Sequence, residues 1–272
     1  MIRRAARDSR DTAELGARLF ALVFAVSILL AESLAGCTAV HSHSAARSST
    51  TSTVAATTTS TGAPPVVTTT TAAPPAKLEV GDNGPAVLAL QQRLSTLGYW
   101  LGTPDGSFGD STEQAVYAIQ KAAGISRDGI VGPMTQWVLA AGVLPHPRST
   151  SGYVIEVDLQ DDLVMFVNGG KLQYVLNTST GGGYTYTDDG VTAVAETPTG
   201  VFHIYRQVDG MVTDSLGQLW RPRFFEGGFA IHGDSYVPPY PVSHGCVRVS
   251  NEAIDWIWDQ NLAPIGTEVW VY

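Results

Sequence analysis

Cysteine is nearly absent: Cys37 and Cys246 are the only two in 272 residues, too few for a disulfide framework, and their surroundings differ so much that no bond between them is expected. Positive charge is scarce as well. Sixteen lysines and arginines stand against 25 aspartates and glutamates, a formal charge of −9, which argues against nucleic acid as a partner because phosphate binding needs a cationic surface. The imbalance is steepest from Gly152 to Tyr272, where 15 acidic residues meet Lys171, Arg206, Arg221, Arg223 and Arg248. The apolar run Leu19 to Ala31 falls short of the about 20 residues of a comfortable membrane span. What remains is a chain with 44% hydrophobic residues and 28 glycines, enough for one proper core or two modest ones.

The short apolar run follows five arginines, from Arg3 to Arg18, and has the length of a secretory signal. Leu34-Ala35-Gly36-Cys37 comes next and resembles the lipobox of bacterial lipoproteins. The resemblance implies a signal peptide over 1–36, a mature chain that begins at Cys37, and a lipid on that cysteine. From there to about Lys77 the chain is almost wholly Ser, Thr, Ala and Pro with no apolar period, which reads as a disordered tether. Its mean reach is about 35 Å for a flexible chain of that length. Signal, anchor and tether together place the folded part outside the cytoplasmic membrane, in the cell envelope.

Residues 78–144 read as three short helices. Pro85 suits a first helical position, Val87, Leu90, Leu94 and Leu97 recur at helical spacing, and Gly98 stops the run. Ser111-Thr112-Glu113-Gln114 has the pattern of a capping box opening a second helix, and Gly132-Pro133 starts a third. Asp105-Gly106-Ser107-Phe108-Gly109 and Asp128-Gly129-Ile130-Val131-Gly132-Pro133, with Thr112 and Gln120, resemble the three-helix peptidoglycan-binding domain. That resemblance implies cell-wall glycan and peptide as a partner; a helical spacer with the same caps is the alternative.

After the proline-containing joint Leu144 to Arg148 the period changes to two. Tyr153–Leu159, Leu163–Val167 and Lys171–Leu176 are expected as successive antiparallel strands, with turns at Gln160-Asp161-Asp162 and Asn168-Gly169-Gly170. Val201–Tyr205, Gly228–His232 and Thr267–Tyr272 follow as strands and Glu252–Gln260 as one short helix. The fold class is therefore multidomain, a small all-α domain followed by a mainly β domain over 152–272.

The chemistry gathers between His232 and Arg248. An exported thiol left without a partner is a liability under oxidation, so Cys246, flanked by Ser243, His244 and Gly245, reads as a nucleophile. A thiolate needs a base and the base an orienting acceptor, and both His232 and His244 are candidates. Ile231-His232-Gly233, then Ser243-His244-Gly245-Cys246-Val247-Arg248, with Glu196-Thr197-Pro198-Thr199-Gly200 upstream, resemble the L,D-transpeptidase catalytic domain, also called the YkuD domain.

The resemblance implies a YkuD-like β-sandwich in which Cys246 is the nucleophile, His232 the general base and His244 a supporting histidine. The carbonyl of Gly233 would orient the base, Ser243 would support the site by hydrogen bonding, and backbone amides around Gly245 and Cys246 would stabilise an oxyanion. Arg248 is expected to meet a carboxylate of substrate or a neighbouring side chain. Tyr240, in the proline-rich loop of 10 residues between His232 and Ser243, and Trp220, in a lid-like connection Gln207–Gly227, are expected against substrate. The implied reaction takes a stem tetrapeptide, releases D-alanine and forms a 3→3 cross-link without a metal or organic cofactor. Hydrolysis, attachment of another amine, and a wall-binding lipoprotein without catalysis are the alternatives.

Overall fold

In the computed structural model residues 77–272 are described; the signal, Cys37 and nearly all of the tether lie outside them. Three helices come first, α1 (Pro85–Thr96), α2 (Asp110–Ala122) and α3 (Pro133–Ala141). Proline opens α1 and α3 as expected, and Gly142 ends α3 in the left-handed region. The expected capping box does not form. Gly109 is the N-cap of α2 and carries no side-chain cap, so Ser111 to Gln114 lie inside the helix. There Asp110 and Glu113 face the positive end of the helix dipole. Thr112 turns inward and takes a hydrogen bond from Gln91 at 3.0 Å.

Two buried glutamines hold the two Asp-Gly turns. Gln91 donates to Asp105 and accepts from the amides of Asp105 and Gly106. Gln120 does the same at the second turn, donating to Asp128 and accepting from the Gly129 amide.

The β domain holds β1 (Tyr153–Asp158), β2 (Leu163–Asn168), β3 (Lys171–Asn177), β4 (Thr185–Asp188), β5 (Val191–Val194), β6 (Gly200–His203), β7 (Arg206–Gln207), β8 (Met211–Asp214), β9 (Gly217–Glu226), β10 (Phe229–Asp234), β11 (Val247–Ser250), α4 (Asn251–Asp259) and β12 (Glu268–Val271). One sheet has the order β3-β2-β1-β12-β6, and a second has β11-β10-β9-β7 with β8 paired to β9. Strands β1 to β3 are antiparallel as expected, whereas β1 with β12 and β10 with β11 are parallel pairs.

The run Leu163–Val167 is apolar at every position because both of its faces are covered. Val164 and Phe166 enter the core between the sheets with Ile231, Val247, Val249, Ile254 and Ile257. Leu163, Met165 and Val167 enter the helical core with Leu94, Val116 and Ile119. The joint at 144–152 thus divides the chain but not the core. A truncation that removed the helices would expose the outer face of β2, where each side chain contributes about 1.5–3 kcal/mol by burial.

Lys121 of α2 and Asp162 of the β1–β2 turn form an ion pair of 3.2 Å whose side chains are 0% and 1% exposed. Desolvation pulls the Lys121 ammonium down to about 8, against the attraction of Asp162.

Glu156 ties the joint to the final residue. Its carboxylate, fully buried on β1, accepts from the Arg148 amide (2.8 Å), the Ser149 amide (2.8 Å), the Ser149 hydroxyl and the Tyr272 hydroxyl (2.6 Å). Burial pushes this carboxyl up, but those four hydrogen bonds outweigh it and hold the group below the usual range. A depressed carboxyl contributes stability that is present above the unfolded value of about 4.3 and lost as the pH falls below it. Glu156→Gln would turn an amide toward these donors and is expected to cost about 1–3 kcal/mol in urea unfolding at pH 7. The variant is also expected to lose less stability on acidification than the parent; an equal loss would contradict this role.

Candidate active site

His232 sits on β10, buried, in register with Arg248 on the neighbouring parallel strand. Its Nδ1 lies 2.9 Å from the carbonyl oxygen of Gly233. A carbonyl can only accept, so Nδ1 carries the proton and Nε2 is left with a lone pair. Burial pulls the imidazole below its ordinary value, against the Gly233 hydrogen bond, so the ring is neutral near pH 7. Gly233 is a close-approach glycine: a Cβ there would stand 2.6 Å from Ile254 and 2.7 Å from Asn251. Helix α4 therefore presses directly on the backbone that orients the imidazole.

Cys246 immediately precedes β11, and its Sγ is 3.8 Å from the Gly228 carbonyl. Burial pushes the thiol up to about 11, with a backbone hydrogen bond to Ala230 opposing. The thiol and the imidazole are thus both held in their neutral forms. Ser243 holds the turn before the cysteine. Its hydroxyl donates to the Cys246 carbonyl at 2.6 Å and accepts from the Gly245 amide at 3.0 Å. The Gly245 amide, expected among the oxyanion donors, is therefore engaged by Ser243. Gly245 itself has φ +133°, and a Cβ there would fall 2.4 Å from the Phe229 ring and 2.6 Å from the Glu196 carbonyl.

Cys246, His232, His244, Ser243 and Arg248 line one cleft of about 300 Å³. Arg248 Nε lies 3.2 Å from Asp234, an ion pair without hydrogen-bond alignment. The His244 ring meets Tyr184 and Tyr186 edge-on at 5.4 and 4.8 Å between centroids. Tyr186 and Asp214 belong to the cleft walls and were not expected there. They come from two hairpins, β4–β5 and β8–β9, whose tips are joined by the Ser215 hydroxyl donating to Asp188 at 2.9 Å. The Asp189-Gly190 turn between alternating residues was the available signal for the first hairpin.

Tyr240 and Trp220 are not brought to this cleft. Tyr240 lines a separate hollow of about 600 Å³ with Glu113, Tyr117 and Arg127 of the helical domain. Trp220 is held against α4, its indole N–H donating to Asp255 at 2.7 Å. The connection Gln207–Gly227 divides in the same way: Asp214 and Leu216 to Leu219 face the cleft, whereas Phe224 and Phe225 are buried. Arg223 is fully buried, donates to the Ala263 carbonyl at 2.8 Å and stacks 3.8 Å over Trp258.

Residues 152–271 match the L,D-transpeptidase catalytic domain family, and residues 83–139 match a putative peptidoglycan binding domain. Together they define a peptidoglycan-modifying enzyme. A solved L,D-transpeptidase from Xylanimonas cellulosilytica is 51% identical, with a TM-score of 0.71, over 74% of this chain and 100% of that one. The chain belongs to the L,D-transpeptidase family. It is also 46% identical over 78 residues to the N-acetylmuramoyl-L-alanine amidase CwlL of Bacillus licheniformis and 44% identical over 52 residues to the amidase CwlM of Mycobacterium tuberculosis. Those stretches are 28% and 19% of this chain, which spans 22% and 13% of the length of these two relatives.

The neutral state of the pair gives a direct expectation. In a Cys37→Ser background, ultraviolet thiolate absorbance of Cys246 should rise with a midpoint well above the about 8.5 of a free thiol. A midpoint below that value would contradict a neutral thiol.

Proposed function

We propose that this cleft performs L,D-transpeptidation through a cysteine acyl-enzyme. The observation that carries the reading is the Nδ1 contact of His232 with the Gly233 carbonyl, which leaves Nε2 as a base in the cleft that Cys246 lines. Cys246 Sγ attacks the carbonyl of the third residue of a stem tetrapeptide while His232 takes the thiol proton. The same imidazolium then protonates the departing amine, and D-alanine leaves a thioester behind. The developing oxyanion is met by backbone amide around Cys246, a contribution of about 2.7–4 kcal/mol per donor. The side-chain amine of a second stem takes the acyl group, giving the 3→3 cross-link; water in its place gives a carboxypeptidase, and an envelope protein's amine an attachment.

The Arg248–Asp234 pair supports a carboxylate-recognition role for Arg248, because a guanidinium held by one contact keeps donors for a substrate. The lipobox-like Leu34 to Cys37 and the Ser/Thr/Pro tether support anchoring at the outer face of the cytoplasmic membrane. The peptidoglycan-binding match over 83–139 supports delivery of the site to its polymer.

Muropeptide analysis of purified sacculi treated with the enzyme should show D-alanine release and 3→3 dimers. His232→Gln is expected to lower the rate about 10²–10⁴-fold, and Cys246→Ala to abolish release. A Cys246→Ala protein with full activity would sink the proposal.

A further inference from the structure

Lys121 is the fully buried ammonium of a helix, and the reaction as drawn does not use it. Its three protons have three acceptors: the Asp162 carbonyl at 2.9 Å, Asp162 Oδ2 at 3.2 Å and the Thr178 carbonyl at 2.8 Å. The second carboxylate oxygen of Asp162 accepts from the Thr180 amide at 3.1 Å and the Thr180 hydroxyl at 2.8 Å. On one side, Thr178 is thus held by Lys121 of the helical domain, and Thr180 by the Asp162 carboxylate that Lys121 pairs with.

From the other side the same segment carries the cysteine loop. The Ser179 hydroxyl donates to the Tyr240 carbonyl at 2.9 Å, and the Thr180 carbonyl accepts from the Ser243 amide at 2.9 Å. Gly182 donates to the Ser243 carbonyl at 3.0 Å. The Thr178 hydroxyl donates to the Arg248 carbonyl at 2.7 Å, and Ser179 and Arg248 exchange two backbone hydrogen bonds of 3.2 and 3.1 Å. Every anchor falls between Tyr240 and Arg248, on both sides of Cys246.

We propose that Lys121 is a positioning residue for the nucleophile: with Asp162 it clamps Thr178–Thr180, and that segment sets where the Ser243–Arg248 loop holds Cys246 in the cleft that His232 also lines. A buried ion pair is a poor source of net stability, since desolvation offsets its attraction. Its directional bonds do something that an apolar side chain of equal length does not, which is to fix two carbonyls and a carboxylate at once. The helical domain therefore acts on the reaction as well as on the polymer.

The test measures Cys246 modification by iodoacetamide in the full chain carrying Cys37→Ser. The amplitude of the native phase counts folded molecules; its rate constant reports the surroundings of the sulfur. Lys121→Met is expected to lower the rate constant by about 10²-fold, the scale of a misplacement near 1 Å. Met165→Ala, which opens a void in the shared core away from the clamp, should lower Tm and leave the rate constant within about twofold, as for independent sites. Thr180→Val removes only a hydroxyl and serves if Lys121→Met does not fold; it should slow the reaction about tenfold, one hydrogen bond to a charged group.

Acylation by a stem tetrapeptide, the readout that rests on the proposed function, should show the same ratios with the donor KM unchanged. Lys121→Met or Thr180→Val reacting at the parental rate constant overturns the positioning role. A parent protein that is alkylated but never acylated overturns the transpeptidase reading instead, and the alkylation ratios still decide the clamp.

Discussion

The Asp162 carboxylate, 1% exposed, is bonded on both oxygens, and the arrangement of the reactive loop depends on it. Nothing in the β1–β2 turn would need a carboxylate for the turn alone. The residue stands at φ +57°, where aspartate is tolerated better than most side chains, so the backbone accepts a cost to aim both oxygens inward. Lys121 arrives from α2 through a core that the helices and β2 share. The two domains are joined by packing that excludes water and by one charge pair that the exclusion makes directional.

Chemistry in the cleft follows from burial of a different kind. Desolvation moves the thiol up and the imidazole down, so each group is held in its neutral form. The Gly233 carbonyl chooses which imidazole nitrogen carries the proton, and α4 lies against that glycine so closely that no Cβ fits. Gly245 is constrained likewise between the Phe229 ring and the Glu196 carbonyl. The upstream Glu196 to Gly200 stretch thus touches the site through a main-chain atom.

Much of this was legible in the residues. The strands from Tyr153 to Leu176 announced themselves by short apolar runs between turn residues, and the three helices by prolines and glycines at their ends. Cys246 and His232 stood out as reactive groups and do line one cleft. What was not legible depends on partners far away in the chain. Trp220 and Tyr240 have the composition of substrate contacts, but α4 takes the first and the helical domain the surroundings of the second. The cleft walls at Tyr186 and Asp214 come from hairpin tips, whose local sequence says that they turn but not what they turn toward. A lysine in the last turn of a helix reads as solvent-facing, beside the negative end of the helix dipole; only the fold shows that Lys121 points into a closed core.

The central claim is that Cys246 becomes acylated by a stem peptide. Intact-protein mass spectrometry during a single turnover with a stem tetrapeptide tests it most directly. The account predicts a transient mass increase equal to the tetrapeptide less D-alanine, mapped to Cys246 and discharged on adding an acceptor stem. Release of D-alanine with no covalent adduct on the protein, or an adduct mapped to another residue, would contradict it.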